Sequence, residues 1–212
     1  MKTDELFSAI RDNDAAAVAA LLDEDRALFD ATSHEITPVL FAVYHGHPEL
    51  AQLFVERGAQ LSPAELTALG DARALDGDLG SYSKDGFPLL GLAIFFRHPA
   101  LARQMIEHGA DVSARARNQA GVMPVHAAAT VRDIESMRLL LDRGADVNAR
   151  QQLGFTPLFS AANNGDEAMV DLLLARGADA GAKSDDGKTA ADLAAERGHT
   201  KLAERLRVII PS

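Results

Sequence analysis

Seven histidines and a short run of alternating carboxylates are the residues of this 212-residue chain whose types and spacing could do chemistry. Imidazole is a common zinc ligand, and His45 and His47 are close in sequence. Zinc needs three or four converging ligands, however, and the chain has no cysteine and no HExxH pair to supply them. The histidines have a simpler account, because His47, His98 and His199 each follow a recurring turn that an imidazole can tie together by hydrogen bonds. Asp76-Gly77-Asp78-Leu79-Gly80 has the carboxylate spacing of a calcium loop, yet its twelfth position is Phe87, where such a loop needs a bidentate Glu. No metal site and no cofactor are expected. The carboxylates from Asp71 to Asp85 carry the alternative reading, a small-molecule or metal-dependent enzyme. No nucleophile and no pocket-forming sequence accompany them, so the expectation is a protein that is not an enzyme.

Charge and composition narrow the partners. The 31 acidic residues outnumber the 21 basic ones, for a formal net charge of -10, which opposes binding to nucleic acid or an anionic membrane. The longest apolar run, Phe87 to Phe96, has ten residues, about half the length of a membrane-spanning helix. Asp4 and Glu5 follow Met1 and Lys2 directly, with no apolar signal stretch behind them. A cytoplasmic, soluble protein, monomeric and bound to no nucleic acid or membrane, is expected. At 47% hydrophobic content the chain can bury a core, and with 5% aromatics and no Trp that core must come from Ala, Leu and Val.

The elements that would position a site repeat. Gly109-Ala110-Asp111, Gly144-Ala145-Asp146 and Gly177-Ala178-Asp179 each close an apolar helix pattern, and Gly121, Gly154 and Gly187 advance by 33 residues each time. That period means a stacked solenoid whose units bury their apolar faces against one another. In the clearest unit, Thr156-Pro157 opens a helix with Leu158, Ala161 and Ala162 on one face, and Gly165 turns the chain. Met169, Val170, Leu172, Leu173 and Leu174 form a second helix, which Gly177 ends. The stretch from Asp146 to Phe155 is polar and short, and predicts a projecting, hairpin-like finger.

Met123-Pro124-Val125-His126-Ala127-Ala128, Asp146-Val147-Asn148-Ala149, Gly187-Lys188-Thr189-Ala190 through Gly198-His199, and Thr37-Pro38 with Gly46-His47 and Gly58-Ala59 together resemble the ankyrin repeat. The resemblance implies a mainly α solenoid of helix-turn-helix units with short β-hairpin-like finger loops, and a non-catalytic module that binds another protein through its concave groove. It divides the chain into one domain, 1–212: a cap repeat at 1–33, repeats at 34–61, 86–119, 120–152 and 153–185, a shortened repeat at 62–85, and a C-terminal cap at 186–212. Gly46 and Arg97 hold equivalent turn positions only 51 residues apart, where two periods require 66. The shortened unit should start a helix at Ser62-Pro63-Ala64-Glu65, lack the finger before it and most of the second helix after it, and be flexible from Asp76 to Gly86.

The paired residues before each inter-helix turn should face the groove. They are Arg11-Asp12, Tyr44-His45, Phe95-Phe96, Thr130-Val131, Asn163-Asn164 and Glu196-Arg197, charged at the ends and apolar in the middle. Tyr44, His45, Phe95, Phe96, Thr130, Val131, Asn163 and Asn164 are therefore the candidate partner-binding residues, extended by the finger residues Phe87, Val122 and Phe155. Phe95 and Phe96 either present a ring to a partner or fill the space beside the shortened repeat. Arg97 and Arg132 stand where a turn glycine is usual, so either their turn differs or the two cations have a use.

Overall fold

A hydroxyl residue followed by proline starts several of the helices, since proline gives up an amide that the first helical turn leaves unbonded anyway. The computed structural model describes residues 2–209; the extreme ends of the two expected caps, Met1 and residues 210–212, lie outside them. The helices are α1 (Lys2–Arg11), α2 (Ala15–Glu24), α3 (Pro38–Tyr44), α4 (Pro48–Glu56), α5 (Pro63–Ala68), α6 (Leu89–Phe95), α7 (Pro99–Glu107), α8 (Pro124–Val131), α9 (Ile134–Asp142), α10 (Pro157–Asn163), α11 (Glu167–Ala175), α12 (Ala190–Glu196) and α13 (Thr200–Ile209). At α5 the Ser62 side chain accepts from the Glu65 amide while Glu65 accepts from the Ser62 amide, the reciprocal cap that this sequence predicts.

The first helices of successive pairs stack into one row, α1 on α3, α3 on α5, α5 on α6, then α8, α10 and α12. A second row places α2 against α4 and, further on, α7 against α9 and α9 against α11. The protein is thus a mainly helical solenoid. Its core is long and thin. A cluster from Leu6 and Ile10 to Leu50 and Phe54 fills the N-terminal part, and a larger one runs from Leu40 to Leu206. The two meet in α3, where Val39 and Ala42 point into the first and Leu40 into the second. Alanine supplies much of the inner row, as Ala93, Ala128, Ala129, Ala161, Ala162, Ala191 and Ala194 are all fully buried.

The finger loops are tight turns, with no strand among the described residues beyond isolated bridges at Ser33–Ile36 and Tyr82–Pro88. The hairpin-like expectation is corrected to that extent, because each loop closes with few backbone bonds before the chain bends into the next helix. The Ser83 amide donates to the Phe87 carbonyl at 2.9 Å, Gln151 to Phe155 at 2.9 Å and Ser184 to Lys188 at 2.9 Å. Successive fingers are joined as well: Arg117 donates to the Gly86 carbonyl at 2.8 Å, Gln152 to Ala120 at 2.9 Å and Asp185 to Leu153 at 3.0 Å.

Between α4 and α5 only the six residues 57–62 connect the helices, against the fourteen residues 143–156 between α9 and α10. There is no finger in that link. After α5 the chain forms a 3-10 helix, Ala72–Asp76, which packs against α7. The backbone from Asp78 to Gly86 is tied at several points. Ser81 donates to the Asp78 carbonyl, Ser83 is buried, and the Arg117 guanidinium lies 3.7 Å from the centre of the Tyr82 ring.

Candidate interaction groove

The C-terminal ends of the inner helices and the finger loops line a groove that contains two depressions side by side. The first is a cavity of about 60 Å³ lined by Tyr44, Phe87, Leu92, Phe95, Val122 and Met123, with Pro88, Gly91 and Ala127 as its floor. Almost all of its surface is apolar. Gly91 leaves room for it, since a Cβ there would come within 3.3 Å of the Pro88 ring. The second, of about 190 Å³, lies between Thr130, Phe155, Phe159, Asn163, Asn164 and Leu193.

Tyr44 and Phe95 line the first depression, and Phe96, outside its lining, packs against both. Tyr44, from the end of α3, packs 5.1 Å from Phe96 and 6.3 Å from Phe95, and the two phenylalanines meet edge to face at 5.3 Å. The Tyr44 hydroxyl donates to Asp85 Oδ2 at 3.1 Å. Burial, with the Asp85 carboxylate beside it, pushes the Tyr44 hydroxyl well above the usual phenol range, so it stays a donor. The two adjacent rings differ in exposure. Phe95 is 42% exposed, whereas Phe96 is half-buried against the core.

The other candidates are distributed as follows. Tyr44, Phe87, Phe95 and Val122 line the first depression; Thr130, Phe155, Asn163 and Asn164 line the second. Phe96 touches the first only through its neighbours. His45 is exposed and turned back on its own helix, with Nδ1 2.8 Å from the Phe41 carbonyl and its ring on Phe41. Val131 is buried in the core and faces neither depression. Sequence reasoning missed Leu92, Met123, Phe159 and Leu193. The helical period was the available signal for Leu92, which precedes Phe95 by three residues; Phe159 stacks at 5.2 Å on Phe155, which lies in the finger just before α10.

Asn163 and Asn164 bind their neighbours across repeats. Asn164 Nδ2 donates to the Ala129 and Thr130 carbonyls at 3.3 Å, and Asn163 Oδ1 accepts from Arg197 at 2.9 Å. Both turn arginines adopt left-handed backbone, Arg97 at φ 63° and Arg132 at φ 59°. Arg132 donates to the Asn164 carbonyl at 2.6 Å. The Arg97 side chain is exposed and has no hydrogen bond or ion pair among the described residues.

Three of the four carboxylates between Asp71 and Asp85 have local partners. Arg73 holds Asp71 through both oxygens at 3.0 and 2.6 Å and keeps its carboxyl below the usual range. Asp78 accepts from the Gly80 amide at 2.9 Å, and Asp85 accepts from Tyr44. Among the described residues no three His, Asp or Glu side chains converge as a metal site requires. Five of the seven histidines serve the backbone. His98 Nε2 lies 2.8 Å from the Ala68 carbonyl and His199 Nε2 3.3 Å from the Asn163 carbonyl, while His47 reaches only Glu49, at 3.7 Å.

Stacked helix pairs with a lined groove define a repeat protein. The family model described as ankyrin repeats (3 copies) matches residues 125–208, from α8 to α13, and this stretch carries ankyrin repeats. Upstream, α6 and α7 stack on α8 and α9 in the same manner. Comparison with curated proteins returns no match. Ankyrin repeats are generally protein–protein interaction modules and typically non-catalytic. No described helix is long and apolar enough to cross a membrane.

Proposed function

We propose that the protein is a monomeric, cytoplasmic and non-catalytic interaction module that holds a segment of a partner protein in the groove between Tyr44 and Asn164. The apolar depression beside Phe95 carries this reading. A ring left 42% exposed at the rim of a nearly all-apolar cavity is costly in water and rewarding to cover. One apolar side chain of the partner fills the depression, and the amide and hydroxyl groups of Asn163 and Thr130 meet polar groups further along. The repeat division 1–33, 34–61, 62–85, 86–119, 120–152, 153–185 and 186–212 goes with this reading.

A photocrosslinking residue at Val122, on the finger side of the depression, tests it in cells that make the protein. A discrete heavier adduct is expected, absent when Phe95→Ser is added and absent when the crosslinker is moved to exposed Glu204 on α13. An adduct that survives Phe95→Ser removes the depression from the interface.

A further inference from the structure

The finger row is a ladder with one rung out. Backbone bonds join the fingers at 83–87, 116–122, 151–155 and 184–188, each through the amide of the second residue of a finger, Arg117, Gln152 or Asp185. The corresponding amide of the finger at 83–87 belongs to Lys84, and it has no partner among the described residues. On the other side of the short α4–α5 link stands the turn closed by Ser33 and Ile36, whose His34 and Glu35 carbonyls accept no bond from any described residue.

The space between them is open. A cavity of about 220 Å³ lies over the link and the start of α5, walled by Phe29, Thr37, Gln60, Ser62, Glu65 and Ser83. A wider depression of about 640 Å³, sharing the Tyr82–Lys84 wall, runs from Glu35 to Gly86. One oxygen of Asp85 is buried there without a hydrogen-bond partner. The two exposed flanks, Glu35 and Lys84, are opposite in charge, and neither has an ion pair among the described residues.

We infer that this break in the finger row is a second interaction site, which takes a glycine-containing turn of another polypeptide in place of the missing finger. The resident fingers on the C-terminal side of the gap show what such an occupant does. It accepts from the next amide in the row, as Gly86, Ala120 and Leu153 do. It pairs charge across the junction, as Arg150 and Asp185 do at 3.4 Å. A turn like Ser184-Asp185-Asp186-Gly187-Lys188 has the composition required, an acid to face Lys84 and a base to face Glu35. Backbone bonds of this kind give affinity with little demand on sequence, as when a strand is added to an open edge. The site is separate from the Phe95 depression and does not depend on it.

Two measurements on the full chain test it. In the first, residues 178–189 are inserted between Gln60 and Leu61, which tethers a finger in the gap. Hydrogen exchange at the Lys84 amide should slow at least tenfold, to the level of Arg117; exchange as fast as in the parent chain shows that the gap does not accept a finger, and overturns the inference. In the second, the isotope-labelled parent chain is titrated with a head-to-tail cyclic peptide of residues 181–189. Saturable shifts are expected at Lys84, Ser62 and Glu35, retained with Phe95→Ser and abolished by Gln60→Trp, which fills the cavity. Absence of shifts, or shifts that persist in Gln60→Trp, overturns the inference whatever becomes of the Phe95 groove.

Discussion

The imidazole of His98 occupies the space in which a Cβ on Gly70 would stand. An ideal Cβ at Gly70 would lie 2.6 Å from His98 Nδ1, and one at Gly165 would lie 2.5 Å from the His199 ring. The relationship extends along the solenoid. Where the preceding turn carries a side chain, at Arg97 and Arg132, the next unit has Asp133 or Asp166 in place of the histidine, and each caps its own helix. His47 follows a turn occupied by Asn13 and makes no such bond. Turn residue and following residue are thus matched across the repeat boundary at Gly70–His98, Arg97–Asp133, Arg132–Asp166 and Gly165–His199, but not at Asn13–His47 or Gly46–Asp71.

Gly70→Ala should cost about 2 kcal/mol, combining left-handed strain at φ 73° with loss of the His98 bond to Ala68. Adding His98→Asp should recover part of that, because the collision disappears. Chemical denaturation of the single and double variants reads both, and additive losses would contradict the matching.

The two turn arginines should respond differently to glycine. Arg97→Gly relieves left-handed strain and loses no partner, so a gain of about 1 kcal/mol is expected. Arg132→Gly gives up its bond to the Asn164 carbonyl and should gain less. Denaturation midpoints that rank the two in the opposite order would show that Arg97 has a structural partner in solution.

His126 makes stability depend on pH. Its Nδ1 accepts from the Met123 amide at 3.2 Å, and its Nε2 faces the Ala149 carbonyl at 3.0 Å and the Phe155 carbonyl at 3.3 Å. Burial pushes the imidazole below its usual 6.5, with Arg115 adding to that and the two carbonyls opposing it. The unfolded chain then binds the proton more readily than the folded one. The contribution is fully present above pH 6.5 and is lost as the pH falls below it toward the depressed folded value. Denaturation midpoints from pH 7.5 down to 5 should fall more steeply for the parent chain than for His126→Gln. Parallel curves would assign the pH dependence to other groups.

The repeat and the N-terminal ends of its helices were legible because they are written in neighbouring residues: a glycine period, proline after threonine, Ser62 three residues before Glu65. The groove was legible only in part. Two adjacent residues on a helix point about 100° apart, so a pair need not place both members in a groove: Asn163 and Asn164, at the end of α10, both line the second depression, but Thr130 and Val131 part. Thr130 is exposed and Val131 goes into the core. Leu193 was missed for a different reason, since its depression forms only when α12 stacks beside α10, and no single repeat contains both walls.

The same 100° separation decides what each phenylalanine does. Phe95→Ser should cost no more than about 1 kcal/mol, because the ring already stands partly in water and gives up only its contacts with Tyr44 and Phe96. Phe96→Ser should cost about 2 kcal/mol, since it removes a half-buried ring from Tyr44 at 5.1 Å and leaves a hydroxyl against the core. Partner capture measured beside denaturation separates stability from recognition. The expected pattern is a folded Phe95→Ser protein that no longer captures, and a destabilised Phe96→Ser protein that still captures below its melting temperature. If instead Phe95→Ser melts the protein and Phe96→Ser spares it, the exposed ring is the structural one, and the depression beside it closes in solution.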